Sequence, residues 1–384
     1  MKITGIICEY NPLHLGHKKQ LDYISRADPA GGIVCLMSGN FVQRGMPAIV
    51  NKMVRAEAAV NCGADLVLEL PVTYALSSAE GFAKGGVDIL APFCDRLCFG
   101  AENGAKDTLM GLAKALLSEE FSIFLKAELE KGLSFPAARQ KALEAMGLDA
   151  SLLALPNNIL AVEYCKAILS GDHDLIPMAI TREGNYHDDM PDNDNPSATA
   201  IRKLMDEDGN WNSFVPTETA SLLECAVRHH IRHGERAILS KLRTMTDEEF
   251  EALPYGSEGL WRKLMHNARK EATLEGVLET TKSKRYTRTR LDRMVMCAFL
   301  GITEEMLRSP APYVRVLAFN DKGRQILKRA RKSGLFPNIG ETQDDPYQIL
   351  EDRCGDLYGL FSQAPEAPGT EQNYRVYYKK NGEV

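Results

Sequence analysis

The chain has 384 residues, of which 44% are hydrophobic and 26% charged, and a formal net charge of −6 at pH 7, so it is long enough for two domains with a sizeable core. Its apolar stretches are strand-sized, which argues against a membrane protein, and its acidic balance argues against a general binder of polyanions. The nine cysteines include no C-x-x-C pair, which argues against a zinc site or a disulfide framework; we expect no structural metal and a reducing, cytoplasmic location.

The first predicted element is a buried strand, the apolar run Ile3–Cys8, and we expect no signal peptide before it. The turn that follows ends in the motif H-x-G-H, formed by His14 to His17, where a helix begins. Two imidazoles three residues apart at a helix start project to one side. Gly16 lets a ligand approach the backbone, and the helix start offers free N–H groups and a positive dipole end. We interpret the turn as a phosphate site; the alternative is a polar helix cap.

Further strands are predicted at residues 32–37, 66–70, 96–99 and 175–180, with helices between them, for example at 54–62 and 78–90, and a helical stretch over 104–171. Apolar strands with helical crossovers predict an α/β fold with a doubly wound parallel sheet. Ligands of such sheets bind beyond the carboxyl ends of the strands, at the switch point. We therefore expect residues 12–17, 38–40, Gly100 and 181–182 to share one pocket.

A second motif, from Pro196 to Lys203, follows the strand predicted at 175–180. Ser197 and Thr199 suit a helix N-cap, and the apolar residues after them have helical spacing. Hydroxyls, backbone N–H groups and a bidentate Arg202 can together hold a triphosphate. An ordinary capped helix with an exposed arginine is the alternative.

Beyond residue 206 strand signals fade, and residues 217–334 are predicted as a run of short helices. We therefore divide the chain into an α/β domain (1–206), a mainly helical, basic domain (207–335) and an irregular tail (336–384) with one short strand pair near residues 374–378.

Basic residues cluster at 228–236, 282–293 and 322–332, a pattern that indicates a localised nucleic-acid footprint or, equally, solvated helix faces. In the middle cluster Tyr286 is a possible stacking surface. The candidate RNA-binding residues there are Lys284, Arg285, Arg288 and Arg290.

The two motifs resemble the nucleotidylyltransferase superfamily, which carries G-x-F-x-P-x-H-x-G-H early and S-S-T-x-I-R late; here Cys8, Tyr10 and Ala198 depart from that pattern. The chain is more similar, in order from residue 1 to about 335, to the bacterial tRNA(Met) cytidine acetate ligases. That resemblance rests on E-Y-N-P (9–12), M-S-G-N-F-V-Q-R-G (37–45), D-L-V-L-E-L-P (65–71), F-G-A-E-N (99–103), P-N-N-I-L (156–160), Y-H-D (186–188), residues 197–203 and K-R-Y-T-R-T-R-L (284–291).

The resemblance implies an enzyme that activates acetate with ATP to acetyl-adenylate and transfers the acetyl group to the wobble cytidine of elongator tRNA(Met), forming N4-acetylcytidine. It implies that His14 and His17 stabilise the α-phosphate transition state and that Ser197, Thr199 and Arg202 hold pyrophosphate. It also implies ATP contacts along the first turn and from Gly100, Asn157 or Asn158, and Arg182. The turn residues are Ile7, Cys8, Glu9, Tyr10, Asn11, Pro12, Leu13, His14, Leu15, Gly16, His17, Lys18, Lys19 and Gln20. Mg²⁺ is expected with ATP, and neither a membrane nor a protein partner is expected.

Two other functions stay open at this stage. One is a small-molecule adenylyltransferase acting on a phosphorylated vitamin precursor, which would leave the basic helices without a role. The other is a non-catalytic RNA-binding protein with a relic nucleotide pocket, against which the intact His14, His17 and Arg202 count. The chain contains neither a G-x-x-x-x-G-K-[ST] loop nor a G-x-S-x-G elbow, so it lacks the motifs of Walker-type and hydrolase chemistry.

Overall fold

The computed structural model describes residues 1–102, 105–181, 197–283, 285–330 and 345–380. The strands are β1 (Ile3–Cys8), β2 (Gly32–Ser38), β3 (Phe41–Val42), β4 (Met46–Pro47), β5 (Leu66–Leu70), β6 (Arg96–Ala101), β7 (Ile176–Thr181), β8 (Val316–Asn320) and β9 (Tyr377–Lys379). The α-helices that begin before residue 200 are α1 (Leu15–Ala27), α2 (Lys52–Asn61), α3 (Val72–Ala75), α4 (Ala79–Leu90), α5 (Lys106–Leu116), α6 (Glu119–Glu130), α7 (Phe135–Ala145), α8 (Pro156–Ser170) and α9 (Ala198–Asp206). Those that follow are α10 (Thr217–Cys225), α11 (Ile231–Thr244), α12 (Asp247–Glu251), α13 (Leu260–Ala268), α14 (Leu274–Thr281), α15 (Arg288–Leu300), α16 (Glu304–Arg308), α17 (Asp321–Ala330) and α18 (Pro346–Tyr358).

The main sheet has seven strands in the order β7-β6-β1-β2-β5-β8-β9. The five strands from β7 to β5 pair in parallel, whereas β8 runs antiparallel to β5 and parallel to β9. The strand order reverses between β1 and β6, because the chain moves outward from β1 through β2 and β5 and then returns to the other side of β1. This is the switch point at which open α/β sheets bind their ligands.

Helices cover both faces of the sheet, because alternate residues of each buried strand face opposite layers. On one face, Ile6 and Cys35 pack with Leu21 of α1 and Ala56 of α2. On the other face, strand residues such as Val34 pack with residues of α4 and α8. The predicted doubly wound α/β sheet is therefore confirmed, and each of the five predicted strands is present with an end within two residues of its predicted position.

Two predictions for the second half of the chain are wrong. Residues 316–320 form β8, which lies in the main sheet, rather than part of the run of short helices predicted for 217–334. A run of five residues carries too little periodic pattern to separate strand from helix, and pairing with the edge of β5 decides the matter. Residues 346–358 form helix α18, where an irregular tail was expected. The predicted domain boundary near residue 206 stays a prediction, and two strands from beyond it complete the sheet.

A second apolar core lies in the helical part of the chain. Residues of α11, α13, α14, α15 and α18 form it, and Phe41 of β3 packs into it. The β3–β4 hairpin therefore joins the helical core to the loop that follows β2. Among the residues that the structure describes, no helix has both the length and the apolar character needed to cross a bilayer.

Candidate active site

The H-x-G-H turn lies at the carboxyl end of β1, next to the switch point. His14 is the N-cap of α1, and its Nδ1 accepts a hydrogen bond of 3.1 Å from the Gly16 N–H. The Nδ1 of His17 accepts from the His14 N–H at 3.3 Å, so the two histidines form a reciprocal capping box. Their rings stack with centroids 3.7 Å apart. The phosphate site and the helix cap, which the sequence left as alternatives, are compatible with the same geometry.

This hydrogen-bond pattern assigns the tautomer of both rings. A neutral imidazole has one N–H donor and one acceptor nitrogen. Because both Nδ1 atoms accept from backbone N–H groups, the proton of each neutral ring is on Nε2. Each histidine can therefore donate an Nε2–H hydrogen bond to a phosphate oxygen while its Nδ1 holds the helix cap.

The turn before the histidines is held by buried polar contacts. Tyr10 has a positive φ of 45°, its side chain is buried, and its hydroxyl lies 3.4 Å from the Cys35 Sγ. Burial raises the pKa of the Tyr10 phenol well above its ordinary value, so this side chain is neutral. The Oδ1 of Asn11 accepts from the Ile49 N–H at 2.8 Å, which ties the turn to the segment that leads into α2.

Arg55 of α2, which the sequence did not single out, is the central side chain beneath the site. It is 1% exposed and donates to the carbonyl oxygens of Glu9 at 2.7 Å and Ser38 at 3.0 Å. It also donates to the carbonyl oxygens of Gly39 and Val50. One guanidinium thus joins the loops that follow β1 and β2 to the start of α2. The sequence carries little indication of this role, because nothing in the local pattern of α2 distinguishes a buried arginine from an exposed one.

The second motif lies against the turn that precedes the histidines. Ser197 is the N-cap of α9, and its Oγ accepts from the Ala200 N–H at 3.1 Å. Arg202 donates to the carbonyl oxygen of Asn11 at 2.6 Å and to the Thr199 Oγ1 at 3.2 Å. Arg202 therefore joins the start of α9 to the turn that precedes the histidines. Hydroxyls, a helix N-terminus and a guanidinium are groups that bind a polyphosphate.

Asn157 and Asn158 lie at the first turn of α8 and are bound to Glu102, which follows β6. The Glu102 carboxylate accepts from the Asn157 Nδ2 at 2.7 Å and from the Asn158 N–H at 2.9 Å. The Oδ1 of the fully buried Asn158 accepts from the Glu102 N–H at 3.0 Å. Both asparagines thus fix the end of β6 beside Gly100, and their contact with ATP stays a prediction.

The other residues predicted to contact ATP either pack in the apolar cores around the turn or lie on the surface of α1. Ile7 and Leu13 pack in the apolar cores on either side of the sheet, so they support the turn by packing. Lys18 pairs with Asp22, and the Gln20 Nε2 lies 3.5 Å from the Cys98 Sγ of β6. For the remaining members of the turn, Cys8, Glu9, Pro12, Leu15 and Lys19, contact with ATP stays a prediction. Arg182 lies outside the described residues.

The predicted RNA-binding arginines all have partners within the chain. Arg288 contacts three carboxylates: it donates to both oxygens of Glu275 at 2.7 Å, to Asp292 at 2.9 Å and to Glu279 at 3.1 Å. Arg290 donates to the Tyr255 carbonyl oxygen. Arg285 is 65% exposed and pairs with Glu258 alone among the described contacts. Lys284 lies outside the described residues.

The other two basic clusters lie in different parts of the fold. In α17, Lys322 donates to the Gly31 carbonyl oxygen and Arg329 to that of Met1, so this helix lies at the amino ends of the strands, away from His14. The cluster at 228–236 contacts the carboxyl end of α9, the helix that carries Arg202, because Arg228 donates at 2.9 Å to the carbonyl oxygen of Met205.

Comparison with known proteins gives a consistent result. The profile of the family described as HIGH Nucleotidyl Transferase matches residues 1–373. A protein of Clostridium novyi (strain NT) named tRNA(Met) cytidine acetate ligase is 41% identical over 356 residues, which span 88% of this chain and 89% of that protein. A protein of the same name from Clostridium acetobutylicum is 37% identical over 372 residues, spanning 91% and 92% of the two chains.

Solved structures agree with the sequence relatives. The crystal structure of Thermotoga maritima TmcAL in its apo form I has a TM-score of 0.92 and 30% identity to this chain, covering 99% of this chain and all of that one. A second crystal structure of the same protein, bound with alpha-thio ATP, has a TM-score of 0.89 at 30% identity over the same shares of the two chains.

Proposed function

The chain belongs to the HIGH nucleotidyl transferase family and, within it, to the tRNA(Met) cytidine acetate ligases, and on this basis we propose that it activates acetate with ATP and acetylates elongator tRNA(Met). The common name of the relatives favours this ligase function over a vitamin-precursor adenylyltransferase or a relic nucleotide pocket. A tRNA substrate would place the reaction in the cytoplasm.

The observation that carries the proposal is that the two motifs meet at the carboxyl ends of the parallel strands. His14 and His17 stack at the start of α1, and Arg202 binds the turn that precedes them. The proposed first step is attack of an acetate oxygen on the α-phosphorus of ATP, with cleavage of the bond to the bridging oxygen, which leaves with pyrophosphate. The Nε2–H groups of both histidines would donate to the α-phosphate oxygens, where negative charge develops in the transition state.

The departing pyrophosphate would be held by α9. Its N-terminal N–H groups, the Thr199 hydroxyl and the Arg202 guanidinium lie against the turn and favour a negative charge there. In the second step the exocyclic amine of the wobble cytidine attacks the acetyl carbonyl, the amine loses a proton, and AMP leaves. The product is N4-acetylcytidine.

Mg²⁺ is part of the proposal as a companion of ATP. The side chains assembled at the site are imidazoles, hydroxyls, amides and a guanidinium, and the Oε1 of Glu9 accepts from the Gln43 N–H at 2.8 Å. This donor set fits phosphate oxygens, and Mg²⁺ is commonly held by substrate phosphates together with water. When bound, the ion would neutralise the triphosphate, while the protein's own groups orient it.

The test is acetate-dependent exchange of labelled pyrophosphate into ATP, first without tRNA. We expect exchange with acetate, weaker exchange with propionate and butyrate, and transfer of labelled acetate to unmodified elongator tRNA(Met) but not to another elongator tRNA. Exchange that does not require acetate would favour the small-molecule adenylyltransferase. The absence of any ATP turnover would favour the relic pocket.

A further inference from the structure

A cleft of about 210 Å³ lies between the β3–β4 hairpin and the helical core. We refer to it as the hairpin cleft. Its floor is apolar and is formed by Met46, Ile231, Leu274, Leu278, Val295 and Met296. Its charged lining consists of Arg232, Glu235, Glu275, Arg288 and Asp292, and Gly45 completes it.

The hairpin connects this cleft to the H-x-G-H turn. Gln43 in the hairpin donates its N–H to the Glu9 carboxylate at 2.8 Å, and the Ile49 N–H after the hairpin donates to Asn11 at 2.8 Å. Gly45 has a φ of 77°, and a Cβ at this position would lie 2.4 Å from the Arg293 backbone nitrogen. Only glycine allows this approach, so the hairpin is held between the catalytic turn and α15.

The basic segment beside α9 reaches the same cleft. Arg232 lines it and lies 3.9 Å from the Asp206 carboxylate at the end of α9, and His230 lies 3.3 Å from the same side chain. The cleft is thus bordered on one side by the hairpin that binds the catalytic turn and on another by the segment next to the candidate pyrophosphate helix.

The charges of the lining select against a phosphate. Two guanidinium groups are accompanied by three carboxylates, and Arg288 is already bound to Glu275 and Asp292. A dianion would meet more negative than positive charge there. A neutral, flat molecule that carries both N–H donors and carbonyl or ring-nitrogen acceptors would find partners of both kinds around an apolar floor. Nucleobases have this combination, and proteins that bind single-stranded RNA take up unstacked bases in this way.

We propose that the hairpin cleft receives an unstacked base of the tRNA anticodon loop. This inference rests on the proposed function, because acetylation of a cytidine amine requires the anticodon loop to be opened next to the adenylate. The Arg232 guanidinium, which is only loosely paired with Asp206 at 3.9 Å, donates to acceptors on the base edge, and the Glu235 carboxylate accepts from its amino or imino groups. Apolar contact with Ile231 and Leu278 replaces the stacking that the base loses.

The test uses a substitution that fills the cleft and leaves the residues of the adenylation site unchanged. Ile231→Trp places an indole in the space for the base, and Ile349→Trp, at an exposed position on α18 outside the cleft, is the matched control. The probe is an anticodon stem–loop of elongator tRNA(Met) that carries 2-aminopurine at one loop position at a time, since unstacking of this base increases its fluorescence. Acetate-dependent pyrophosphate exchange is measured in parallel.

With wild-type protein and the control we expect increased fluorescence at one loop position. With Ile231→Trp we expect no increase and at least about a tenfold loss of tRNA acetylation, while pyrophosphate exchange is unchanged. Wild-type acetylation and fluorescence in Ile231→Trp would overturn the inference. Absence of exchange in the wild-type protein would instead overturn the proposed function. If Ile231→Trp does not fold, Arg232→Glu, which reverses one lining charge, provides the same comparison, and unchanged acetylation by that variant would overturn the inference.

Discussion

The guanidinium of Arg202 donates a hydrogen bond of 2.6 Å to the carbonyl oxygen of Asn11, a residue that precedes it by 191 positions. The bond joins α9 to the turn that carries His14 and His17. Because Arg202 also donates to Thr199 one helical turn earlier, its guanidinium is oriented from both its own helix and the turn. The groups that would hold the α-phosphate and the pyrophosphate are therefore fixed relative to each other before a ligand binds.

Arg202→Lys is expected to reduce kcat/KM for ATP by at least about tenfold, because an ammonium cannot reproduce the planar, forked donation of a guanidinium. Pyrophosphate exchange at varied ATP concentration measures this effect. Lys203→Ala, which removes the neighbouring exposed cation on the same helix, is the control and should retain activity. Equal activity of Arg202→Lys and the wild-type protein would contradict the role of Arg202.

The two roles of His14 can be separated. Asn is a strong N-cap residue, so His14→Asn should preserve the start of α1 while removing the Nε2–H donor. We expect normal thermal stability and at least about a hundredfold loss of pyrophosphate exchange, the usual effect of removing one transition-state donor. His17→Ala should show a similar loss. A folded variant lacking both histidines that still forms acetyl-adenylate at nearly the normal rate would rule out this site.

Arg55 should matter for stability as well as for activity. Arg55→Met leaves four backbone carbonyl oxygens without their donor, each of which costs about 1 kcal/mol or more when buried. We expect the free energy of unfolding to fall by at least about 3 kcal/mol, measured by denaturant titration. Arg55→Lys should recover part of the loss because it restores the charge and some of the bonds. An unchanged unfolding midpoint in Arg55→Met would show that these bonds do not hold the two loops.

Arg285 offers the clearest test of RNA binding by the basic helices. Its single described partner is Glu258, so Arg285→Glu should weaken tRNA affinity and flatten its salt dependence without breaking a buried network. The matched control is Lys328→Glu on α17, which lies at the amino ends of the strands. Gel-shift titrations at two salt concentrations measure both variants. Equal losses in the two variants would mean that charge alone, rather than this surface, governs binding.

Glu351 should make stability depend on pH. Burial, with a further contribution from the charge of Glu69, raises the pKa of Glu351 to about 7, although Lys52 and Arg315 oppose the shift. The unfolded carboxyl has an ordinary pKa near ~4.3. As pH rises between these two values, the unfolded state releases a proton that the folded state retains, so stability falls; the loss is complete above pH ~7.

Glu351→Gln should remove this penalty while its side-chain oxygen continues to accept from the Val72 N–H, which lies 2.8 Å from the Glu351 Oε1. We expect the variant to be more stable than the wild-type protein at pH 8, on the order of 2 kcal/mol, and similar to it at pH 4. Thermal unfolding at a series of pH values is the measurement. Parallel curves for the two proteins would show that Glu351 is not the titrating group.

The sequence by itself determined the strands of the parallel sheet and the place of the histidines. Apolar runs such as 66–70, which alternate along the chain with helical segments, fit parallel strands buried on both faces, and the H-x-G-H motif in the turn after the first run then lies at the carboxyl ends of the strands. The helix N-cap at Ser197 could likewise be predicted, because the hydrogen bond that the Ser197 Oγ accepts from the Ala200 N–H spans only three residues. These features depend on neighbours within one or two helical turns.

Tertiary structure decided the contacts between distant segments. The pairing of β8, three of the four carbonyl acceptors of Arg55 and the Arg202–Asn11 bond involve residues far apart in the chain, and no local periodicity encodes such pairs. The arginines of 285–290 show the same limit: their positive charge was visible in the sequence, and Asp292 lies one turn along the same helix, but Glu275 and Glu279 reach Arg288 only after folding brings α14 and α15 together. Local pattern determines which element forms, whereas the partner of a long side chain depends on how those elements pack.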